Sequence, residues 1–235
     1  MKATRREFVS TGLAAGVYAA QAPILDLAAT AAQSPALASE DGYKLWLRFA
    51  PPSDAVRGQY FRQFGSLVVQ GDSPTSRIIR DEMTAAIASI VGSPMTREGP
   101  SPGDVVVGTP TNSELIRGLG WATDLEKAGP EGFVIRTSRI GKRNGIAIAS
   151  AGEIGALYGA YHFLRLLQTG QSTGRLDITE RPKMQLRMIN HWDNMDGSIE
   201  RGYAGRSLWQ WNELPGTLSP RYVDYARANA SIGIN

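Results

Sequence analysis

The stretch "RMINHWDNMDGSIERGYAGRSLWQW", residues 187–211, gathers the chemically most capable side chains of the chain into one run. Asp193, Asp196 and Glu200 are carboxylates that could exchange protons, and His191 is a further acid–base group. Trp192, Trp209 and Trp211 add flat aromatic faces, and Asn194 and Arg201 add hydrogen-bond donors. Glycines at 197, 202 and 205 punctuate the run as they would a shaped loop. These residue types suit acid–base work and polar contact. The question is which elements hold them.

Composition removes several alternatives. The chain has no cysteine, so disulfides, thiolate zinc sites and cysteine nucleophiles are excluded. Its only histidines, His162 and His191, lack metal-ligand spacing, and any His-dependent triad would have to use one of them. Nothing calls for a metal or a cofactor. Net charge is +3 with no basic run of five or six residues, which argues against a nucleic-acid partner. "GTPTNSE" follows a strand but lacks the Gly-x-x-x-x-Gly-Lys-Ser/Thr spacing of a phosphate loop. With 42% apolar and 20% charged residues in 235, a globular core is expected, as one large domain or one domain plus part of another.

The first 38 residues read as an address. "TRREFVS" (4–10) leads into a short, weakly apolar Ala/Gly-rich run, the layout of a secretory signal. The Arg5-Arg6 pair is similar to the twin-arginine type, whose cargo folds before export, to the periplasm or beyond. The apolar run is too short and interrupted for a membrane anchor. Cleavage fits after Ala31 or Ala38, and Ala38 is favoured because structured sequence begins just beyond it.

Residues 41–180 predict an α/β domain, a small sandwich of one sheet with two helices on a face. "YKLWLRF" (43–49) alternates like a half-buried strand, and "SLVVQG", "DVVVGTP", "GFVIRTSR" and "NGIAIASA" add further strands. Asn144-Gly145 suits a hairpin turn between the last two. One helix starts at Ser73-Pro74 and stops at Gly92. A second follows Ser150, with Glu153 at capping-box spacing, and stops at Gly170. Gly155 and Gly159 within it cost about 1 kcal/mol each relative to alanine, which predicts close approach to the sheet. His162 is expected in the core or an interface.

Arg181-Pro182 opens a second element, residues 181–235, read as strand (Leu186, Met188, Ile189), long loop, helix from Ser219-Pro220, and a strand-like end at 231–235. That is the first βα unit of a truncated (β/α)8 barrel, with "NHWDN" at a strand's C-terminal end, where barrel sites are built.

"EDGYKLWLRF", "GEIGALYGAYHFLRLLQTG", "RMINHWDNMDGSIERGYAGRSLW" and "YARANASIGIN" closely resemble the α-glucuronidases of glycoside hydrolase family 67. The resemblance runs from about residue 40 to the end. It implies an α/β N-terminal domain, a (β/α)8 catalytic barrel and a helical C-terminal region. It also implies release of 4-O-methyl-glucuronic acid from xylo-oligosaccharides, with inversion. The family's catalytic acid and base lie on later barrel strands, so no catalytic residue is assigned here and this chain alone is expected to be inactive. Trp192 matches the family tryptophan that lines the glucuronic acid pocket. His191, Asp193 and Asn194 either contact sugar hydroxyls or orient neighbouring loops. Arg201 either contacts substrate or, the favoured reading, braces the loop in a buried ion pair with Glu200. Trp209 and Trp211 form an aromatic wall, are partly buried, or serve a dimer contact in a full-length homodimer. The competing function is a non-catalytic carbohydrate-binding or interaction module. A hexosaminidase-like enzyme is a third, disfavoured by the length of the motif.

Overall fold

Valine- and isoleucine-rich runs build a five-stranded sheet in the computed structural model, which describes residues 41–92, 104–140 and 142–235. Its strands are β1 (Ser66–Val69), β2 (Asp104–Gly108), β3 (Phe133–Ile140), β4 (Arg143–Ala149) and β5 (Asp177–Glu180), in the order β1-β2-β4-β3-β5. β1, β2 and β4 run parallel, whereas β3 is antiparallel to both β4 and β5. The period of two sorts the side chains. Val105, Val107, Ile135, Ile146 and Ile148 enter one core, and Val106, Val134, Ala147 and Ala149 enter the other. Both faces are covered, which explains why β2 and β4 read as continuous apolar runs.

The larger core is closed by α2 (Pro74–Val91) and α5 (Glu153–Gln168), the two expected helices. Ser73 caps α2 by accepting from the Ser76 amide, Pro74 occupies its first turn, and Gly92 ends it at φ 78°. Ile79, Met83, Ile87 and Ile90 fall on its buried stripe. On the opposite face lie two short helices absent from the sequence reading, α3 (Glu114–Arg117) and α4 (Ala122–Ala128), which contribute Ile116 and Leu125. Ser113 caps α3, so the "TNSE" turn serves helix initiation.

Gly155 and Gly159 carry the predicted close approach. A methyl group at Gly155 would lie 2.4 Å from the Gly132 carbonyl oxygen and 2.2 Å from Ser150 Oγ, and one at Gly159 would lie 2.8 Å from Ile148 Cγ2. The capping box does not form. Ser150 Oγ donates to the Gly132 carbonyl at 2.6 Å, while Glu153 reaches away to Asn112 Nδ2 at 3.0 Å and Ser76 Oγ at 3.3 Å. Gly152 becomes the cap instead.

Other expectations fail for identifiable reasons. Residues 45–48 form a 3-10 helix, not a strand, because Leu45 and Phe49 turn the chain at φ 51° and 50°. Leu47 and Phe49 still reach the core, but against helices rather than along a sheet edge. α1 (Asp54–Gln63) follows, also unforeseen, since only Tyr60 of its ten residues is buried. Asn144-Gly145 does not turn: it pairs with Arg139 and Ser138, and the hairpin closes between Ile140 and Arg143. Residues 186–189 and 231–235 are not strands, for neither finds a ladder of neighbours, and Leu186, Met188 and Ile189 are exposed. The helix from Ser219 forms as expected, as α6 (Pro220–Ala230), with Ser219 accepting from the Arg221 amide.

Residues 44–235 make one contact-connected unit. In the separate unit of residues 1–43, the described part is a turn in which Asp41 accepts from the Tyr43 amide at 2.9 Å. The signal-like segment and its cleavage positions lie outside the described residues.

Candidate functional site

The loop between Asn190 and Ser219 is shaped by its glycines and by two cross-loop bridges. Gly197, Gly202 and Gly205 have φ of 79°, 91° and 97°, values that side chains resist, so the expected loop-shaping role holds. Asp193 pairs with Ile199 and Ser198 with Arg206 as isolated antiparallel bridges. The Glu200 amide donates to the Trp192 carbonyl at 2.8 Å, and the Asn194 amide donates to the Ser198 carbonyl at 2.8 Å. Asn194 Nδ2 donates to Ser198 Oγ and to the Glu200 carbonyl, so this side chain is engaged within the loop.

Along this extended stretch successive side chains point to opposite sides. His191 and Asp193 turn inward together. His191 Nδ1 lies 3.6 Å from Asp193 Oδ1, its Nε2 lies 2.6 Å from the Tyr225 hydroxyl on α6, and Asp193 Oδ2 accepts from Ser207 Oγ. The carboxylate beside Nδ1 favours the tautomer that carries its proton there, leaving Nε2 to accept from Tyr225. Trp209 packs edge-on to both His191 and Tyr225 and lies tilted against Tyr222 at 4.9 Å between centroids. Trp192 takes the opposite side and is 61% exposed.

Serine, histidine and aspartate therefore meet, but not as a nucleophilic triad. Ser207 gives its proton to Asp193 rather than to the imidazole, so nothing activates it. Asp196 accepts from the Ser198 hydroxyl and amide, which hold its carboxyl below the ordinary range; a general acid needs the opposite shift. Glu200 faces Tyr203 and raises that phenol's pKa. Arg201 is exposed, and among the described residues it makes no ion pair with Glu200. The expected buried pair is thus corrected: Arg201 is exposed, and the chain turns at Glu200, whose φ is 54°. Trp209 is half-buried in the aromatic cluster, and Trp211 is 42% exposed.

Several residues that hold this region were invisible to pattern reading. Arg187 pairs with Glu131 and donates to the Gly233 and Met184 carbonyls, and its hydrogen bond keeps the Glu131 carboxyl below its usual range. Arg165 donates to the Ser231 carbonyl at 2.9 Å and lies over the Trp46 ring. Trp46 Nε1 donates to Ser231 Oγ at 3.1 Å. Apart from Met184, these partners are 46 to 185 residues apart, so no local signal exists for them. A cleft of about 250 Å³ lies among them, beside His162 and Arg181.

The family model for the glycosyl hydrolase family 67 N-terminus matches residues 45–163, and that for the family 67 middle domain matches residues 166–235. The chain belongs to glycoside hydrolase family 67. Among family 67 relatives, a probable alpha-glucuronidase A of Aspergillus oryzae is 34% identical over 204 residues, covering 84% of this chain and 23% of that protein. Alpha-glucuronidase A of Aspergillus tubingensis is 32% identical over 206 residues, covering 85% and 23%. The chain thus spans about a quarter of the length of these curated relatives, 23% in each case. A solved family GH115 4-O-methyl-α-glucuronidase, described as specific for decorated arabinogalactans, shares the fold with a TM-score of 0.50 at 18% identity, over 72% of this chain and 24% of that one.

Proposed function

We propose that this chain is the N-terminal part of an α-glucuronidase that releases glucuronic acid, or its 4-O-methyl form, from xylan-derived oligosaccharides with inversion. The observation that carries the reading is Trp192, a large aromatic 61% exposed between His191 and Asp193, whose own side chains are engaged by Tyr225 and Ser207. An indole face so placed suits the C–H surface of a sugar ring. The relatives' names supply the sugar class. On this reading Asn194 would meet a sugar hydroxyl and the exposed Arg201 the uronate carboxylate.

On this reading residues 41–180 form the α/β domain and residues 181–235 open a (β/α)8 barrel. The Asn235 amide donates to the Arg187 carbonyl at 2.8 Å, joining the two segments expected as the first neighbouring barrel strands. Met184, Leu186, Met188 and Ile189, each exposed, would be covered by further strands. An inverting site needs two carboxyl groups about 6.5–9.5 Å apart on opposite faces of the sugar. Asp193 is spent on Ser207 and His191, and Asp196 on Ser198, so neither serves, and the acid and base belong to later strands. The enzyme acts after twin-arginine export, as a homodimer in its full-length form.

The test is an assay on aldouronic acids, followed by anomeric proton NMR. The chain extended by its downstream reading frame should release glucuronic acid first as the β-anomer. The 235 residues alone should release none. Release by the short chain would overturn its inactivity; no release by the extended one would overturn the glucuronidase reading.

A further inference from the structure

Where the end of β5 meets α5 and the turn after α6, the cleft of about 250 Å³ is lined by charged and polar side chains of two kinds. One kind is already engaged in the frame. Arg187 pairs with Glu131, Tyr158 donates its hydroxyl to the Ile234 carbonyl at 3.2 Å, and Arg165 donates to the Ser231 carbonyl at 2.9 Å. The other kind is open. Among the described residues, the side chains of His162, Glu180 and Arg181 have no hydrogen-bond partner. His162 is half-buried with its ring tilted on Phe133, and Arg181 is exposed just beyond β5. Phe133 and Pro182 add apolar wall. No lining residue belongs to the loop between Asn190 and Ser219.

We propose that this cleft is a binding site for an organic monocarboxylate, held by the Arg181 guanidinium and by an N–H of His162. Charge selects that class. Three arginines and two glutamates line the cleft, which leaves a single positive charge to be matched. Burial lowers the His162 pKa, so near pH 7 the imidazole is neutral and offers a donor without a charge. A planar carboxylate can accept two parallel N–H bonds from one guanidinium. A dianion would bring its second charge against Glu180 and Glu131 with no cation left to meet it. The apolar wall suits a carbon body behind the carboxylate, either the C–H face of an acidic sugar or a hydrocarbon.

The chain has two histidines, so its NMR spectrum carries two imidazole Cε1–H signals, and His162→Gln identifies one by its loss. The 235-residue chain is titrated at pH 7 with glucuronate, with benzoate and with inorganic sulfate. At least one carboxylate should move the His162 signal saturably, and sulfate should need a higher concentration. Tighter binding of glucuronate would assign the site to an acidic sugar, and tighter binding of benzoate to a hydrocarbon acid. The bound anion should also raise the pH at which His162 titrates. Arg181→Gln, a change at an exposed side chain, should weaken binding about three- to fivefold, and Arg181→Lys should weaken it less. A His162 signal that neither carboxylate moves, or an affinity unchanged in Arg181→Gln, would overturn the site. Sulfate acting at a lower concentration than either carboxylate would overturn the choice of a monoanion.

Discussion

Arg227 of α6 closes on the carboxylate of Glu82 in α2 with both Nε and Nη2, across 145 residues of sequence. Neither side chain is far exposed, at 28% and 13%, and the guanidinium also lies over the Phe49 ring. No residue of α6 is fully buried; Ala228 and Ala230 pack against the larger core, and this ion pair adds a polar anchor.

Glu82→Gln should therefore destabilise the chain by about 2–4 kcal/mol, since one partner of a partly buried pair is left uncompensated. Urea denaturation followed by circular dichroism measures this. Replacing both residues, Glu82→Met with Arg227→Met, should recover much of the loss. A loss in the double variant as large as the sum of the two single losses would show that the pair itself contributes nothing.

His162 sets a pH dependence. Burial lowers its pKa, and its ring lies 5.3 Å from that of Phe133. Glu180 opposes this shift and Arg165 reinforces it. The folded state then binds the imidazole's proton less readily than the unfolded chain does. Stability is fully present above the unfolded value, about 6.5, and is lost as pH falls through the lower folded value. The melting temperature should drop between pH 7.5 and pH 5 in the parent chain, and drop less in His162→Asn. Equal slopes for the two proteins would remove His162 as the cause.

Gly155→Ala should be among the most damaging single methyl additions in the chain. The added carbon meets the Gly132 and Pro130 carbonyl oxygens at 2.4 and 2.8 Å, and these belong to backbone that cannot swing aside. A loss of about 2–3 kcal/mol is expected, from overpacking. At Gly159 the added methyl meets chiefly Ile148 and Phe133 side-chain atoms, at 2.8 to 3.1 Å, so Gly159→Ala should cost less. Thermal melts of the two variants side by side decide the order.

The export proposal predicts that Arg5→Lys with Arg6→Lys strands the full-length protein in the cytoplasm. Immunoblots of periplasmic and cytoplasmic fractions give the answer, and an unchanged periplasmic yield would refute the twin-arginine route.

The sequence carried the parts of this structure that obey local rules. Ser73-Pro74 and Gly92 bracket α2, Ser219-Pro220 starts α6, and the Val105–Val107 run could only be buried sheet. It misled where one pattern serves two conformations. Leu45, Leu47 and Phe49 alternate as in a strand, but Leu45 is 60% exposed and the segment coils into a 3-10 turn against α2 and α5. β5 escaped notice because "DITE" is an edge strand with a single half-buried apolar residue, Ile178. At the candidate site, Trp192 and its neighbours were legible as types. The bond from His191 to Tyr225 was not, since 34 residues separate them and only the packed helix brings them together.

The anchors of α6 also set an order of events on the ribosome. Trp46, Glu82, Glu131 and Arg165 all lie in sequence before the last strand of the sheet ends at Glu180, whereas Arg187, Arg227 and Ser231 emerge after it. Domains tend to fold as units during synthesis, amino-terminal part first. The α/β domain can thus be complete, with its charged seat assembled, before the helix it receives has left the exit tunnel. The later segment arrives at a finished mould.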